Sequence, residues 1–257
     1  MHTPSHRQAI TVVWFKRDLR LTDHEPLRRA QDKGLPVLLL YCFEPSIMGH
    51  HDSDVRHWRF VYESLLDMRR TLDAFHLPLH IRHAEALSVF EELIHQFDIR
   101  GVFSHQEVGN RLTFDRDLAV AALLRDHHIT WHESRLNGVI RKLKNRIDWE
   151  KRWEHTMKQA CADVELGTFK SVKWEAPERE LERELEQELK RENRMQKGGE
   201  TQGWKYLHSF LQERYVHYQK HISKPHLARI SCGRISPYLT YGNLSMRQVY
   251  QATLRTW

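Results

Sequence analysis

Ile10-Thr11-Val12-Val13-Trp14-Phe15 is an unbroken apolar and β-branched run, and Lys16-Arg17-Asp18-Leu19-Arg20 follows it at once. Such a run, stopped abruptly by charge, predicts a strand buried on both faces whose carboxyl end opens into a polar loop. Four more runs have the same character: 36–43 (Pro-Val-Leu-Leu-Leu-Tyr-Cys-Phe), 78–82, 100–104 and 129–132. Helical patterns lie between them. Residues 24–33 end at Gly34, a natural C-cap; 54–76 repeat Trp58, Val61, Tyr62, Leu65, Leu66 and Leu72 at helical spacing; 85–97 and 114–127 are similar. Strand–helix alternation with near-continuous apolar strands means a parallel sheet covered on both faces. Right-handed crossovers then predict a doubly wound, Rossmann-like α/β domain of five strands over residues 8–135.

The chain has 257 residues, 40% hydrophobic and 29% charged. That excludes a disordered tail, and no apolar run approaches the ~18 residues of a membrane span. Met1 to Arg7 is polar and lacks the apolar core of a secretion signal. Cys42, Cys161 and Cys232 are odd in number and far apart, which fits a reducing cytoplasm and neither a disulfide framework nor a metal site. His217 and His221 sit at i, i+4 without a third ligand, so no metal is expected there. Charge is uneven. Residues 201–257 hold eight Lys/Arg and one acid, while the first 200 residues hold thirty-two bases and thirty-three acids. A basic C-terminal segment suits a polyanion or phosphate partner, or is a solvated surface.

Beyond 135 the pattern changes. Residues 136–200 read as a connector: four basic residues in 141–146, with Trp149, Trp153 and Trp174 interspersed, then a charge-dense stretch from 177. Leu181, Leu185 and Leu189 give that stretch a thin i, i+4 docking seam. Gly198-Gly199 marks a boundary near 200. From 201 to 257 the chain reads as the start of a helical domain: a helix carrying Trp204, Leu207, Phe210, Leu211 and Tyr215, an irregular stretch 221–235, and a short helix with Ser236 as N-cap and Pro237 at its first position. A last helix opens at Ser245 with Gln248 as capping-box partner, and no terminating residue precedes Trp257, so this domain reads as incomplete.

Three constellations can carry chemistry. Ser231-Cys232-Gly233-Arg234-Ile235-Ser236-Pro237 places a Gly, an Arg and a hydroxyl beside a helix start, which suits an anion. It is equally a capped helix with a surface arginine. Residues 16–20 with Asp23 stand at a strand's carboxyl end, where open α/β sheets bind ligands, or form an internal ion network bracing the loop. Ser104-His105-Gln106-Glu107-Val108-Gly109-Asn110 lines a cleft or is a polar loop. Neither a Gly-x-Gly-x-x-Gly fingerprint nor a P-loop lysine follows the first strand, which disfavours a nicotinamide dehydrogenase or a P-loop ATPase. No nucleophile, base and orienting group stand together, so no catalytic residue is assigned; chemistry carried by a cofactor fits this.

Val13 to Leu21, with Asp23 following, closely resembles the opening of the photolyase/cryptochrome family. Gly233 to Leu239, then Gly242-Asn243-Leu244-Ser245 and Arg247-Gln248, resembles that family's first flavin-binding motif; Asn137-Gly138-Val139 through Trp149 to Trp153 is similar to bacterial members. The resemblance implies an N-terminal antenna domain, a connector, and a helical domain holding FAD that begins at 201. It implies a light-driven lyase splitting pyrimidine dimers in ultraviolet-damaged DNA, or alternatively a blue-light photoreceptor without repair activity; a stand-alone α/β nucleotide-binding module is a third reading. By the resemblance, Gly233, Arg234, Ile235 and Ser236 contact the FAD diphosphate, with Tyr218 upstream. Cys232 stands where the family often has Thr. Glu107, Gly109 and Asn110 are the candidates for a folate or deazaflavin antenna, although Gly109-Asn110 replaces the Asn-Glu pair of folate binders. The implied partners are damaged DNA and a complementing chain carrying the rest of the helical domain.

Overall fold

The computed structural model describes residues 7–174, 183, 185–187 and 195–256. All five expected strands form: β1 (Ala9–Phe15), β2 (Val37–Phe43), β3 (Leu79–His83), β4 (Asp98–His105) and β5 (Trp131–Ser134). They make one parallel sheet in the order β3-β2-β1-β4-β5. The sheet reverses direction of growth between β1 and β4, so the crevice at their carboxyl ends is the fold's natural ligand position. Helices α1 (Glu25–Gln31), α2 (Pro45–Met48), α3 (Val55–Asp73), α4 (Ala86–Gln96) and α5 (Arg111–Asp126) connect the strands.

Strand alternation divides the core. Val13, Phe15, Leu39, Tyr41 and Phe43 face α1 and α3 with Leu27, Val61 and Leu65. Ile10, Val12, Trp14, Leu38 and Leu40 face α4 and α5 with Phe90, Leu93, Val120 and Leu124. Each such fully buried side chain contributes about 1.5–3 kcal/mol, so the two layers supply most of the fold's drive.

The connector carries α6 (Trp149–Lys158), then returns to the sheet, where Val172 and Trp174 enter the second layer. Leu185 is buried in the first layer, consistent with a docking seam; Leu181 and Leu189 lie outside the described residues. Five α-helices follow among the described residues: α7 (Glu200–Gln212), α8 (Tyr218–His221), α9 (Pro225–Ser231), α10 (Ser236–Thr240) and α11 (Met246–Thr256). Phe60 of α3 joins Leu207, Leu211, Tyr238 and Leu244 in a third cluster that seats this segment on the α/β layers. The capping box at Ser245 is present, with Ser245 N–H donating to Gln248 Oε1 and Gln248 N–H to Ser245 Oγ, both 3.0 Å.

Three local expectations are corrected. Residues 225–231 are helical rather than irregular, because Pro225 starts a turn that Cys232 N–H closes onto the Ala228 carbonyl. Ser236 is not an N-cap: Ile235 occupies that place with helical backbone, and no side chain caps it. Asp32 caps α1, while Gly34, at φ +63°, serves the next turn.

Candidate functional site

Asp18 sits at the centre of the switch-point loop, fully buried. One carboxylate oxygen accepts the Lys16 N–H at 2.6 Å; the other accepts from His24 Nε2 at 2.9 Å and His105 Nδ1 at 2.7 Å. His24 Nδ1 accepts the Leu27 N–H, so its proton is on Nε2. The donor atoms of Asp18, His24 and His105 lie within 4.8 Å of one another. Their protons already fill the space between them, so the trio is a hydrogen-bond hub that fixes the loop. Burial penalises the Asp18 carboxylate, yet the two imidazoles hold it well below the usual range. Burial likewise drives the His105 pKa down to about 3 and lowers that of His24. Arg20, also buried, donates to the carbonyls of Thr22, Asp23 and Gly242. Asp18 and Arg20 thus form an internal network that braces the loop, while Lys16 and Arg17 of the same run face the crevice beside it.

These shifts give a pH dependence. A native histidine with a depressed pKa refuses protons that the unfolded chain accepts, so its contribution is complete above the unfolded value near 6.5 and is lost as pH falls toward the native one. Stability therefore declines from pH 7 to pH 5, by about 1.4 kcal/mol per unit below ~6.5 for His105 alone. His105→Asn keeps a donor toward Asp18, and urea midpoints measured across that range are expected to flatten in this variant.

Beside the hub lies a crevice of about 290 Å³ over β1, β2 and β4, closed by Thr240 and Tyr241 from the helical segment. Its walls include Trp14, Tyr41, Trp58 and Tyr241. Its floor is charged and largely buried: Lys16 bonds Asp117 at 2.8 Å, and Arg116 bonds Glu44 and Glu107 at 2.7 Å each and Asp117 at 2.9 Å. Burial raises the Glu44 pKa against the pull of Arg116. Glu107 shifts the other way despite its burial, because Lys16 and Arg116 together hold it ionised. The Cys42 thiol is pushed up by burial and is no nucleophile.

Glu107 and Asn110 line this crevice. Glu107 also accepts the N–H groups of Val108 and Gly109, and Asn110 caps α5 through the Thr113 N–H at 3.1 Å. Gly109 does not reach the cavity; a Cβ there would lie 2.6 Å from Thr113 Oγ1 and 2.8 Å from Glu107 Oε1. Glu44 and Arg116 were not singled out from the sequence, and Trp58 was read only as part of a helical packing face. They come from three separate elements, and no local pattern joins them.

The second candidate stretch forms a loop between α9 and α10. Its carbonyls are occupied: Arg214 donates to those of Cys232 and Gly233, and Gln196 to that of Arg234 at 2.8 Å. The backbone N–H groups of Gly233, Arg234, Ile235 and Ser236 find no acceptor among the described residues. Arg234 is left-handed at φ +56°, and Ile235 is right-handed at φ −89°, ψ −4°. A left–right pair of this kind gathers successive N–H groups into an anion-binding nest. The Ser236 hydroxyl is exposed and unbonded. Tyr218 and Gly233 both lie against the Phe210 ring, Tyr218 edge-on at 5.7 Å, and Tyr218 makes no hydrogen bond to the loop. Arg214 and Gln196, which turn the N–H groups outward, were missed because their partners are backbone atoms.

The family model for DNA photolyase matches residues 11–142. Among curated proteins, the chain is 35% identical over 116 residues to a cryptochrome DASH of Gloeobacter violaceus, covering 43% of this chain and 23% of that protein. It is 34% identical over 115 residues to a blue-light photoreceptor of Arabidopsis thaliana, covering 42% and 26%. Its fold is similar to a bacterial class III photolyase from Agrobacterium tumefaciens (TM-score 0.77, 20% identity, 97% of this chain and 54% of that one). An archaeal photolyase from Sulfolobus tokodaii, solved with two FAD molecules, is also similar (TM-score 0.73, 18% identity, 95% and 55%). The chain thus spans little more than half of the solved structures and a smaller part of the curated relatives. With the family model covering more than half of its residues, and the switch-point loop and crevice in their expected places, the chain belongs to the photolyase/cryptochrome family.

Proposed function

We propose that this chain forms the antenna domain, connector and first flavin-phosphate segment of a light-driven DNA photolyase. The observation that carries the reading is the nest at 233–236. Four free N–H groups, an unbonded hydroxyl and a clamped carbonyl side fit a diphosphate, and Tyr218 shares the Phe210 ring with Gly233. Gly233, Arg234, Ile235 and Ser236 would hold the FAD diphosphate by charge-assisted hydrogen bonds. When bound, FAD supplies the photoexcited electron. The protein's own part is to fix the phosphates and to hold the segment on the sheet.

The crevice between β1, β2 and β4 fits a planar antenna chromophore. The partly exposed Trp58 and Tyr241 would flank a ring, and Lys16, Glu107 and Arg116 would meet its polar edge. Asn110, on the rim, is committed to capping α5, which favours a deazaflavin-like ring over folate. The net positive residues 201–257 suit the phosphates of damaged DNA. No helix among the described residues is long and apolar enough to cross a membrane. The three unpaired cysteines suit a reducing cytoplasm. The similarity to cryptochromes and a blue-light photoreceptor supports the photosensing alternative. Blue illumination of the FAD-loaded protein with a dimer-containing oligonucleotide separates the two. Light-dependent loss of dimers is expected; a light-driven flavin change that leaves every dimer intact would favour the photoreceptor.

A further inference from the structure

A second cleft lies on the other side of the hub, over the carboxyl ends of β4 and β5. Its inner cavity measures about 430 Å³ and its outer one about 370 Å³; Arg135, Gly138, His155 and Thr156 line both, so they are continuous. Neither belongs to the aromatic crevice or the flavin-phosphate loop.

The inner floor holds polar groups that the fold leaves unused. Ser134 is 2% exposed, and its Oγ has no hydrogen-bond partner. His105 gives its Nδ1 proton to Asp18, so Nε2 presents a lone pair, and it has no partner among the described residues. The Gln106 side chain makes no bond there either, and Arg247 Nε is buried without a partner. Two acids in the wall are already engaged, Asp23 by Ser245 and Arg247 and Glu25 by Arg29; Glu133 pairs with Arg141 through Oε2, and its buried Oε1, which makes no hydrogen bond among the described residues, is a further acceptor for a hydroxyl. The outer cavity is lined by Arg135, Lys151, Arg152 and His155 and by no acid. Leaving a buried hydroxyl unpaired lowers stability, so a structural role alone gives Ser134 no reason to be polar.

We propose that this cleft binds a small organic phosphate ester, its phosphate on Arg135 and Arg152 and its hydroxylated body on Ser134, Gln106 and His105. The polarity runs in that order from mouth to floor. His105 Nε2 needs a donor, which a sugar hydroxyl supplies. The inner cavity offers no aromatic ring except imidazole, so a nucleobase would find no stacking face. Its volume lies in the range of small-ligand sites. The proposal is independent of flavin and DNA binding.

Calorimetric titration of the purified protein with ribose 5-phosphate, inorganic phosphate and ribose tests it. Ribose 5-phosphate is expected to saturate one site at least ~10-fold more tightly than either fragment, because both ends of the cleft must be filled. Arg135→Ala combined with Arg152→Ala, both exposed, should weaken binding at least ~10-fold and leave Tm unchanged. Ser134→Ala should weaken binding while raising the ligand-free Tm by roughly 2–4 °C, since it removes an unpaired buried hydroxyl. No saturable binding, equal affinity for ribose 5-phosphate and phosphate, or undiminished binding by the double variant would overturn the proposal. A lowered Tm in Ser134→Ala would show that the hydroxyl is structural and would also overturn it.

Discussion

Asp18→Ala is expected to destabilise the protein by about 3–5 kcal/mol, the range for removing one partner of a buried charged network. Asp18 accepts from the Lys16 N–H, His24 and His105, and all three donors are buried. The truncation strands them together. Stranding is costlier than the mere loss of bonds, because each donor gave up water on folding. The loss is a large part of a domain's total of ~5–15 kcal/mol. Asp18→Asn keeps one oxygen for the two imidazoles and strands only the Lys16 N–H, which then faces the amide NH2 group, so its cost is smaller. Urea unfolding at pH 7 measures both; an Asp18→Ala midpoint within ~1 kcal/mol of the parent would show that the hub does not brace the loop.

The second large effect falls on Gly242. Its φ of +69° is left-handed, and a Cβ there would sit 2.3 Å from the Arg17 carbonyl oxygen and 2.5 Å from Asp18 Cα. Both are backbone atoms, so no rotamer change relieves the clash. The same contact carries three hydrogen bonds between the helical segment and the β1 loop: Leu19 N–H to the Tyr241 carbonyl at 3.0 Å, Arg20 to the Gly242 carbonyl at 2.9 Å, and Asn243 to the Leu19 carbonyl at 2.9 Å. Gly242→Ala is therefore expected to cost more than ~3 kcal/mol, combining αL strain with the lost bonds. The damage should be regional. The two sheet layers have their own core, so limited proteolysis should cut within 195–256 and spare the α/β part. Unchanged protease resistance across 195–256 would contradict this seam.

The strands were legible because buried parallel strands must be apolar throughout, and the runs at 10–15 and 36–43 have no other stable use. The capping box at Ser245 was legible for the same local reason: both partners lie within four residues. The hub was half legible. Asp18 and Arg20 stood out as a bracing network, but His24 and His105 join Asp18 only once β1, α1 and β4 are side by side. The crevice floor is less visible still, since Glu44, Glu107 and Arg116 meet across three elements. At 233–236 the motif was visible and its mechanism was not. A Ser-Pro pair suggests a cap, whereas the shape of the loop is set by the left-handed Arg234 and by the clamp from Arg214, a residue on no motif.

The most direct measurement of the flavin reading is a fluorescence titration of the purified protein with FAD and with riboflavin, which has the same ring system without phosphates. If the nest at 233–236 holds the diphosphate, FAD binds at least ~10-fold more tightly than riboflavin, and Ser236→Asp, which sets a carboxylate among the free N–H groups, abolishes that preference. Equal affinity for the two flavins, or a preference for FAD that survives Ser236→Asp, would contradict the assignment of this loop to the flavin phosphates.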